Sequence, residues 1–187
     1  MIEYIHQTYT GLQVRDVTQE NCTFIDCDFI GCTFEKIRLR QFEFENCRFT
    51  DSSIGLITQS FMRMNDVIFR NCFIQGVSLN GLTIPHSLSF YDCRLSLVDF
   101  INLALQNSAF SSCSFKECSF EDCNLKKSCF TNSAFSYCEF RRTDLSDCDF
   151  SDTEGLDINH EINIINNIKL PQTAGNKILK RMGISIS

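Results

Sequence analysis

Large apolar side chains stand at every fifth position along most of this chain. One run goes from Phe24 through Phe29, Phe34, Leu39, Phe44, Phe49, Ile54, Gln59, Met64, Phe69, Ile74 and Leu79 to Ile84. After a slip of one residue a second run begins at Phe90 and ends at Phe150, and its 13 centres are all Phe or Leu. Fifteen of the 18 phenylalanines are centres, so the aromatic content belongs to the repeat. An amphipathic helix would repeat at 3.6 and a half-buried strand at two. A sustained period of five is neither, and it predicts a stacked repeat.

The residue two before each centre is restricted as well. It is Cys22, Cys27, Cys32, Cys47, Cys72, Cys93, Cys113, Cys118, Cys123, Cys138 or Cys148, and elsewhere mostly Ser, Val, Leu or Ile. Residues two apart on an extended chain point the same way, so this residue and the centre both face inward. Two after the centre stand many Asp and Asn residues, among them Asp26, Asn46, Asp51, Asp66, Asn71, Asp122 and Asp147. Their short polar side chains suit a turn. Each pentapeptide is then a short extended side and a corner. Successive coils pair at about 4.8 Å, and stacking makes continuous a core that no coil could bury alone.

With Cys113, Phe115, Cys118, Phe120, Cys123, Leu125 and Phe130 as its clearest stretch, with Phe110 before it, the sequence resembles the pentapeptide-repeat proteins. That resemblance covers roughly residues 12 to 152 and implies an all-β solenoid, a right-handed quadrilateral β-helix, with Cys commonly in the place of the usual Ala. The expected organisation is an N-terminal cap and first coil over 1–21, the repeat rod over 22–152, and a C-terminal cap and dimerisation segment over 153–187. Two defects interrupt the rod. Gln59 puts a polar side chain at a centre, which is either bonded internally or carried out on a bulge. The slip falls at Pro85, His86 and Ser87, where proline and a register change predict a kink or short loop, a candidate contact loop.

A chain of 187 residues with 43% hydrophobic positions, two prolines and no tryptophan fits one such rod. No stretch has the length of a transmembrane helix. The opening MIEYIHQTYTGLQVRD lacks a basic region followed by an apolar run, so a cytoplasmic location is expected. Twelve cysteines in a chain of this size do not make a small secreted disulfide scaffold, and the repeated five-residue spacing is not a paired zinc motif. Free, buried thiols are expected.

Catalytic signatures are missing. His6, His86 and His160 sit in no nucleophile motif, and no phosphate-binding loop occurs. No enzyme activity, metal or cofactor is expected. The net charge of −6 argues against direct nucleic-acid binding. Between Arg142 and Lys169 lie Asp144, Asp147, Asp149, Asp152, Glu154, Asp157 and Glu161 with no Lys or Arg, an acidic zone that is either a solvated end or a surface for a basic partner.

After Phe150 the period ends. Pro171 can open a helix, Ile178, Leu179 and Met182 follow at helical spacing, Lys180 and Arg181 fill its last turn, and Gly183 stops it. Ile184 and Ile186 then alternate like a strand. The helix caps the last coil, or caps it and pairs with a second copy through Ile178, Leu179, Met182 and Ile184. The segment KILKRMGISIS resembles the C-terminus of gyrase-protecting pentapeptide-repeat proteins, including the quinolone-resistance Qnr group, and TEGLDINHEINIINNIKLPQ is closer still to microcin-immunity members. This resemblance implies a homodimeric rod that binds DNA gyrase as a DNA mimic and frees it from a poison, microcin or quinolone, with topoisomerase IV as a possible second target. Asp144, Asp147, Asp149, Asp152, Glu154 and Asp157 would then face gyrase. The competing expectation is an adaptor solenoid that binds another protein.

Overall fold

The computed structural model describes residues 1–184 and is a four-sided parallel β-solenoid closed at one end by a short helix. Every strand pairing is parallel, and the register before residue 67 is 20 residues per coil: Tyr4 pairs with Phe24, Phe24 with Phe44, and Phe44 with Met64. From Val67 the step becomes 21, as in Phe69 with Phe90 and Val77 with Val98. It then returns to 20, as in Phe100 with Phe120 and Phe120 with Phe140.

One column of rings runs along the second side of the rod. Tyr9, Phe29, Phe49, Phe69, Phe90, Phe110, Phe130 and Phe150 stack with centroids 4.6–5.4 Å apart and planes within 16° of parallel. The column passes the slip unbroken, because the extra residue is taken up at 83–87 on the preceding side. Rings on neighbouring sides meet edge to face, as Phe100 does Phe110 at 5.9 Å and 86°. Both arrangements suit the ring quadrupole. Phe110, Phe115, Phe120, Leu125 and Phe130 are all fully buried.

The residues two after each centre are the corners. Asp26, Asn46, Asp51, Asp66, Asn71 and Asp122 all have φ near +50°, the left-handed region that Asn and Asp enter more easily than most residues. The corners also explain the cysteines beyond their size. A turning chain leaves backbone groups facing inward, and the side chain two before the centre bonds them. Cys72 Sγ donates to the Phe49 and Arg70 carbonyls, and Ser133 Oγ donates to the Phe110 carbonyl at 2.7 Å while accepting from Cys113 N–H at 2.9 Å. Ser128, Thr143 and Asn163 occupy equivalent places. The alternation of Cys with Ser, Thr and Asn at this position was the signal for that role.

All twelve cysteines are free. Burial holds the Cys47 and Cys123 thiols at about 11 and Cys148 at about 12. Cys138 differs: it is half-buried, and a hydrogen bond with Cys118 pulls it down to about 7.

Several expectations change in the structure. The rod extends further toward the N-terminus than its obvious centres, since Tyr4, Tyr9 and Val14 pair in register with Phe24, Phe29 and Phe34. It also continues past Phe150: Asp144 bridges to Ile164 and Asp149 to Lys169, and Ile165, Ile168 and Leu170 pack on the core. Gly155 permits this continuation, because a side chain there would collide with the Phe135 carbonyl. Ile84 is not an inward centre; it is 81% exposed beside a cis bond to Pro85. Gln59 is bonded internally, its amide donating to the Asn80 and Ser78 carbonyls. The helix α1 spans Gln172–Arg181 with Pro171 at its N-cap. Ile184 is exposed and lies in no strand, and Ile186 lies outside the described residues.

Packing is uneven. An apolar cavity of about 340 Å³ lies among the inward side chains between Tyr4 and Phe90. There the fourth side carries Gln19, Leu39, Gln59 and Leu79, where further along it carries Phe100, Phe120 and Phe140. Replacing Phe110 by Ala should therefore cost about 3–5 kcal/mol in denaturant unfolding. Leu39→Phe, beside the cavity, should change stability by less than about 1 kcal/mol, whereas Leu125→Phe in the filled half should cost about 1–3 kcal/mol; equal penalties for the two would contradict the uneven packing. In the native protein, iodoacetamide should label Cys138 first, with a rate that rises through pH 7, and denatured, unreduced protein should yield twelve labels.

Candidate interaction surface

The acidic residues of the C-terminal zone do not share one face. Asp144 and Asp149 lie on the first and second sides, Asp147 and Asp152 at the corners that follow them, and Glu154 on the third side, bridged to Ala134. They form a belt around one coil. The next coil and α1 supply cations that the linear sequence places far away. Lys169 Nζ is 3.0 Å from Asp149 Oδ2, Arg181 pairs with Asp157 at 2.7 Å, and Asn167 donates to Asp147 at 2.8 Å. Asp144 accepts from Ser146 N–H at 2.9 Å. Among the described residues, Asp152 and Glu154 are exposed and in no ion pair. Hydrogen bonds from Ser151, and then Lys169, hold the Asp149 carboxyl at about 2.

The 20-residue register also exposes rows that linear reading missed. Asp26, Asp66 and Asp147 lie along the corner before the second side, with Lys127 between the last two, and Asp51, Asp92 and Asp152 along the corner after it. Asn residues separate several of these acids: Asn71 donates to Asp51 at 2.6 Å, and Asn46 donates to Asp26. Amide neighbours therefore keep like charges two coils apart. The signal in the sequence was Asp or Asn recurring at 20 and 40 residues.

The slip at 85–87 is not a protruding loop. His86 Nε2 accepts the Ala104 N–H at 2.9 Å, and burial lowers the His86 pKa. Ser87 N–H donates to the Met64 carbonyl at 2.9 Å. Thr83, Ile84 and Pro85 are the exposed residues at this place, and His86 and Ser87 are half-buried. At the C-terminal end Ala174 and Ile178 are buried within the chain, while Leu179 is half-buried and Met182 and Ile184 are exposed. Lys177 Nζ donates to the Leu156 carbonyl at 3.0 Å and Arg181 to that of Ile158 at 2.9 Å, which fixes α1 on the final coil. Ile178 is thus a capping residue, and the apolar side chains left outside are Met182 and Ile184, with Ile162 and Ile164 on the final coil.

Among the described residues no group of three or more His, Cys, Asp or Glu side chains could hold a metal ion, and no helix is long and apolar enough to cross a membrane.

Residues 93–132 and 130–152 match the family model for pentapeptide repeats, with eight copies. Over 113 residues the chain is 58% identical to protein McbG of Escherichia coli, an overlap of 60% of each chain. The chain thus spans about 60% of the length of that curated relative. A trypsin-treated variant of QnrB1, a plasmid-mediated fluoroquinolone resistance protein, has the same fold, with a TM-score of 0.64 at 16% identity, covering 100% of this chain and 99% of that one.

The Asp149 contacts give a titration test. Its carboxyl should titrate near 2 by NMR, and Ser151→Ala or Lys169→Ala should raise that value toward the ordinary carboxylate range. A folded-state pKa below the unfolded one stabilises above the unfolded value of about 3.9. That stability should disappear as pH falls from about 4 through 2, and Asp149→Asn should remove that part of the acid dependence.

Proposed function

For this chain, which is a pentapeptide-repeat protein, we propose a role in protecting DNA gyrase from a gyrase-poisoning toxin by binding the enzyme where DNA lies. The observation that carries this reading is the 58% identity to McbG over 113 residues. The resemblance of KILKRMGISIS to gyrase-protecting members supports it from the tail. The protein acts by occupancy: it makes and breaks no bond. Its two Asp rows flank the second side of a rod whose coils rise about 4.8 Å each. A basic channel that holds DNA would meet them as two lines of carboxylates, the first interrupted by Lys127. Such an attraction weakens as salt screens it.

In this reading Met182 and Ile184, with Ile162 and Ile164, meet the same patch of a second copy. A two-fold contact at the capped end joins two rods into one longer rod. The protein works in the cytoplasm, where gyrase is. Poisons it counters include microcins and quinolones, and topoisomerase IV is a second enzyme to test.

Supercoiling and cleavage assays decide the question. Titration of the protein into gyrase poisoned with a microcin, and separately with a quinolone, should restore supercoiling and reduce the trapped cleavage complex. Neutralising Asp152→Asn and Glu154→Gln together with Asp147→Asn should lower the protection at least tenfold while the circular dichroism spectrum stays unchanged. Full protection by that variant would refute the acidic rows as the contact. No effect of the parent protein on gyrase, poisoned or free, would assign the rod to another protein partner.

A further inference from the structure

The fourth side of the rod carries an ordered charge pattern that the gyrase reading does not use. One level bears three cations, Lys36, Arg38 and Arg40, all exposed and none in an ion pair among the described residues. The next level has no charge; its corners are Leu56 and Phe61, 51% and 66% exposed. The level after that is also uncharged, with glycine at both corners, Gly76 and Gly81, and Ser78 between them. Indeed, residues 71–91 contain no charged side chain at all, in a chain that is 21% charged. One level further the corner is Leu97, 48% exposed, and beside it half-buried Asp99 accepts from Ser119 Oγ at 2.6 Å. Beyond it lies a level with three carboxylates, Glu117, Glu121 and Asp122.

This order is self-complementary about Ser78. The cationic level is two levels to one side, at about 10 Å, and the carboxylate level is two levels to the other. The Leu56–Phe61 level and the Leu97 level flank the axis. Even the outermost levels correspond, since Asp16 and Glu20 lie at one end and Arg141 and Arg142 at the other. Arg142 is already bound to Asp122 and Glu121 within the chain, so the carboxylate end keeps a reduced negative charge, to which exposed Glu139 adds. The cationic end makes no ion pair among the described residues, although Asp16 and Glu20 lie one level away from Lys36 and Arg40.

The corners give a second, independent indication. Leu56, Phe61 and Leu97 have φ of 53°, 54° and 55°. Asp, Asn or Gly would hold these corners with less strain. Bulky apolar residues held in a left-handed conformation, and exposed, are an unfavourable combination for an isolated rod.

We infer that the fourth side is an interface with a second copy of this chain, packed side by side and antiparallel about a two-fold axis at Ser78. The cations of each copy then face the carboxylates of the other, and the uncharged waist meets itself. An isologous contact needs one surface complementary to itself, which this one is. The opposite, parallel arrangement would set like charges against each other. This contact is separate from the one at the capped end and does not depend on the gyrase reading.

Sedimentation velocity at low and high salt tests it, in the full chain carrying Met182→Asp to remove association at the capped end. The chain should dimerise, more weakly at high salt. Arg38→Glu with Arg40→Glu should weaken the dimer at least tenfold, and so should Glu117→Lys with Glu139→Lys. An equal mixture of the two variants should restore association, because each reversed level then meets its opposite. A Ser78→Cys variant should form an intermolecular disulfide under mild oxidation. A chain that stays monomeric at low salt, reversals that leave the dimer unchanged, or a mixture that fails to restore it would overturn the inference. Cross-linking through Arg38→Cys but not Ser78→Cys would also overturn it, because that places the axis elsewhere.

Discussion

The ring column on the second side is the constraint to which the other parts of the rod conform. Eight aromatic rings stack in sequence from Tyr9 to Phe150 at spacings of 4.6–5.4 Å. A ring stack accepts a coil of 20 or 21 residues provided that the next ring arrives at the same height. The extra residue at the slip therefore has to leave the wall on another side. It does so on the first side, where Ile84 turns outward and His86 bonds back to Ala104 N–H. Removing one ring would leave its two neighbours without a face contact, so the column couples distant coils more tightly than backbone pairing alone.

Corners carry the surface chemistry. A four-sided coil turns about every five residues, and nearly all of these turns hold a left-handed residue. Asp and Asn fulfil that demand, so the backbone requirement itself writes rows of carboxylates and amides along the rod. Within these rows no two Asp stand at successive levels, where identical charges would be about 5 Å apart. Fold and surface are therefore one constraint here. A corner that departs from Asp, Asn or Gly, such as Leu56, Phe61 or Leu97, is where the surface departs from a solvated wall.

Much of this was legible in linear sequence. The five-residue period, the inward Cys–Phe pairs, the slip and the C-terminal helix all appear because local chemistry repeats. Tyr4, Tyr9, Val14 and Gln19 were harder to read, since a Tyr, Val or Gln at a centre lacks the Phe–Leu signature that marked the others. The final coil was hidden for the same reason: Ile165 and Leu170 hold centre places, and Asn163 and Ile168 the places two before them, without Cys or Phe. The Asp149–Lys169 and Asp157–Arg181 pairs join residues 20 and 24 apart, which only the coil length brings together. The acidic zone read from composition is consequently a partly compensated belt, and the longer Asp rows emerge only in register.

Charge magnitude limits what mimicry of DNA can mean for this rod. A duplex carries about one negative charge per 1.7 Å, or about 20 over the 34 Å spanned by seven coil rises. The whole chain has a net charge of −6. Total charge therefore cannot match DNA, and a basic surface would not hold the rod by field strength alone. What the rod can match is geometry: a narrow, stiff cylinder with Asp rows flanking the second side, where Arg48 and Lys169 are paired with Asp28 and Asp149, and with an unpaired cationic patch at Lys36, Arg38 and Arg40 on the fourth. That segregation gives the second side a more negative local field than the net charge implies. It also makes the rod's orientation against a basic groove electrostatically selective, because rotation about its long axis would turn the cationic patch inward.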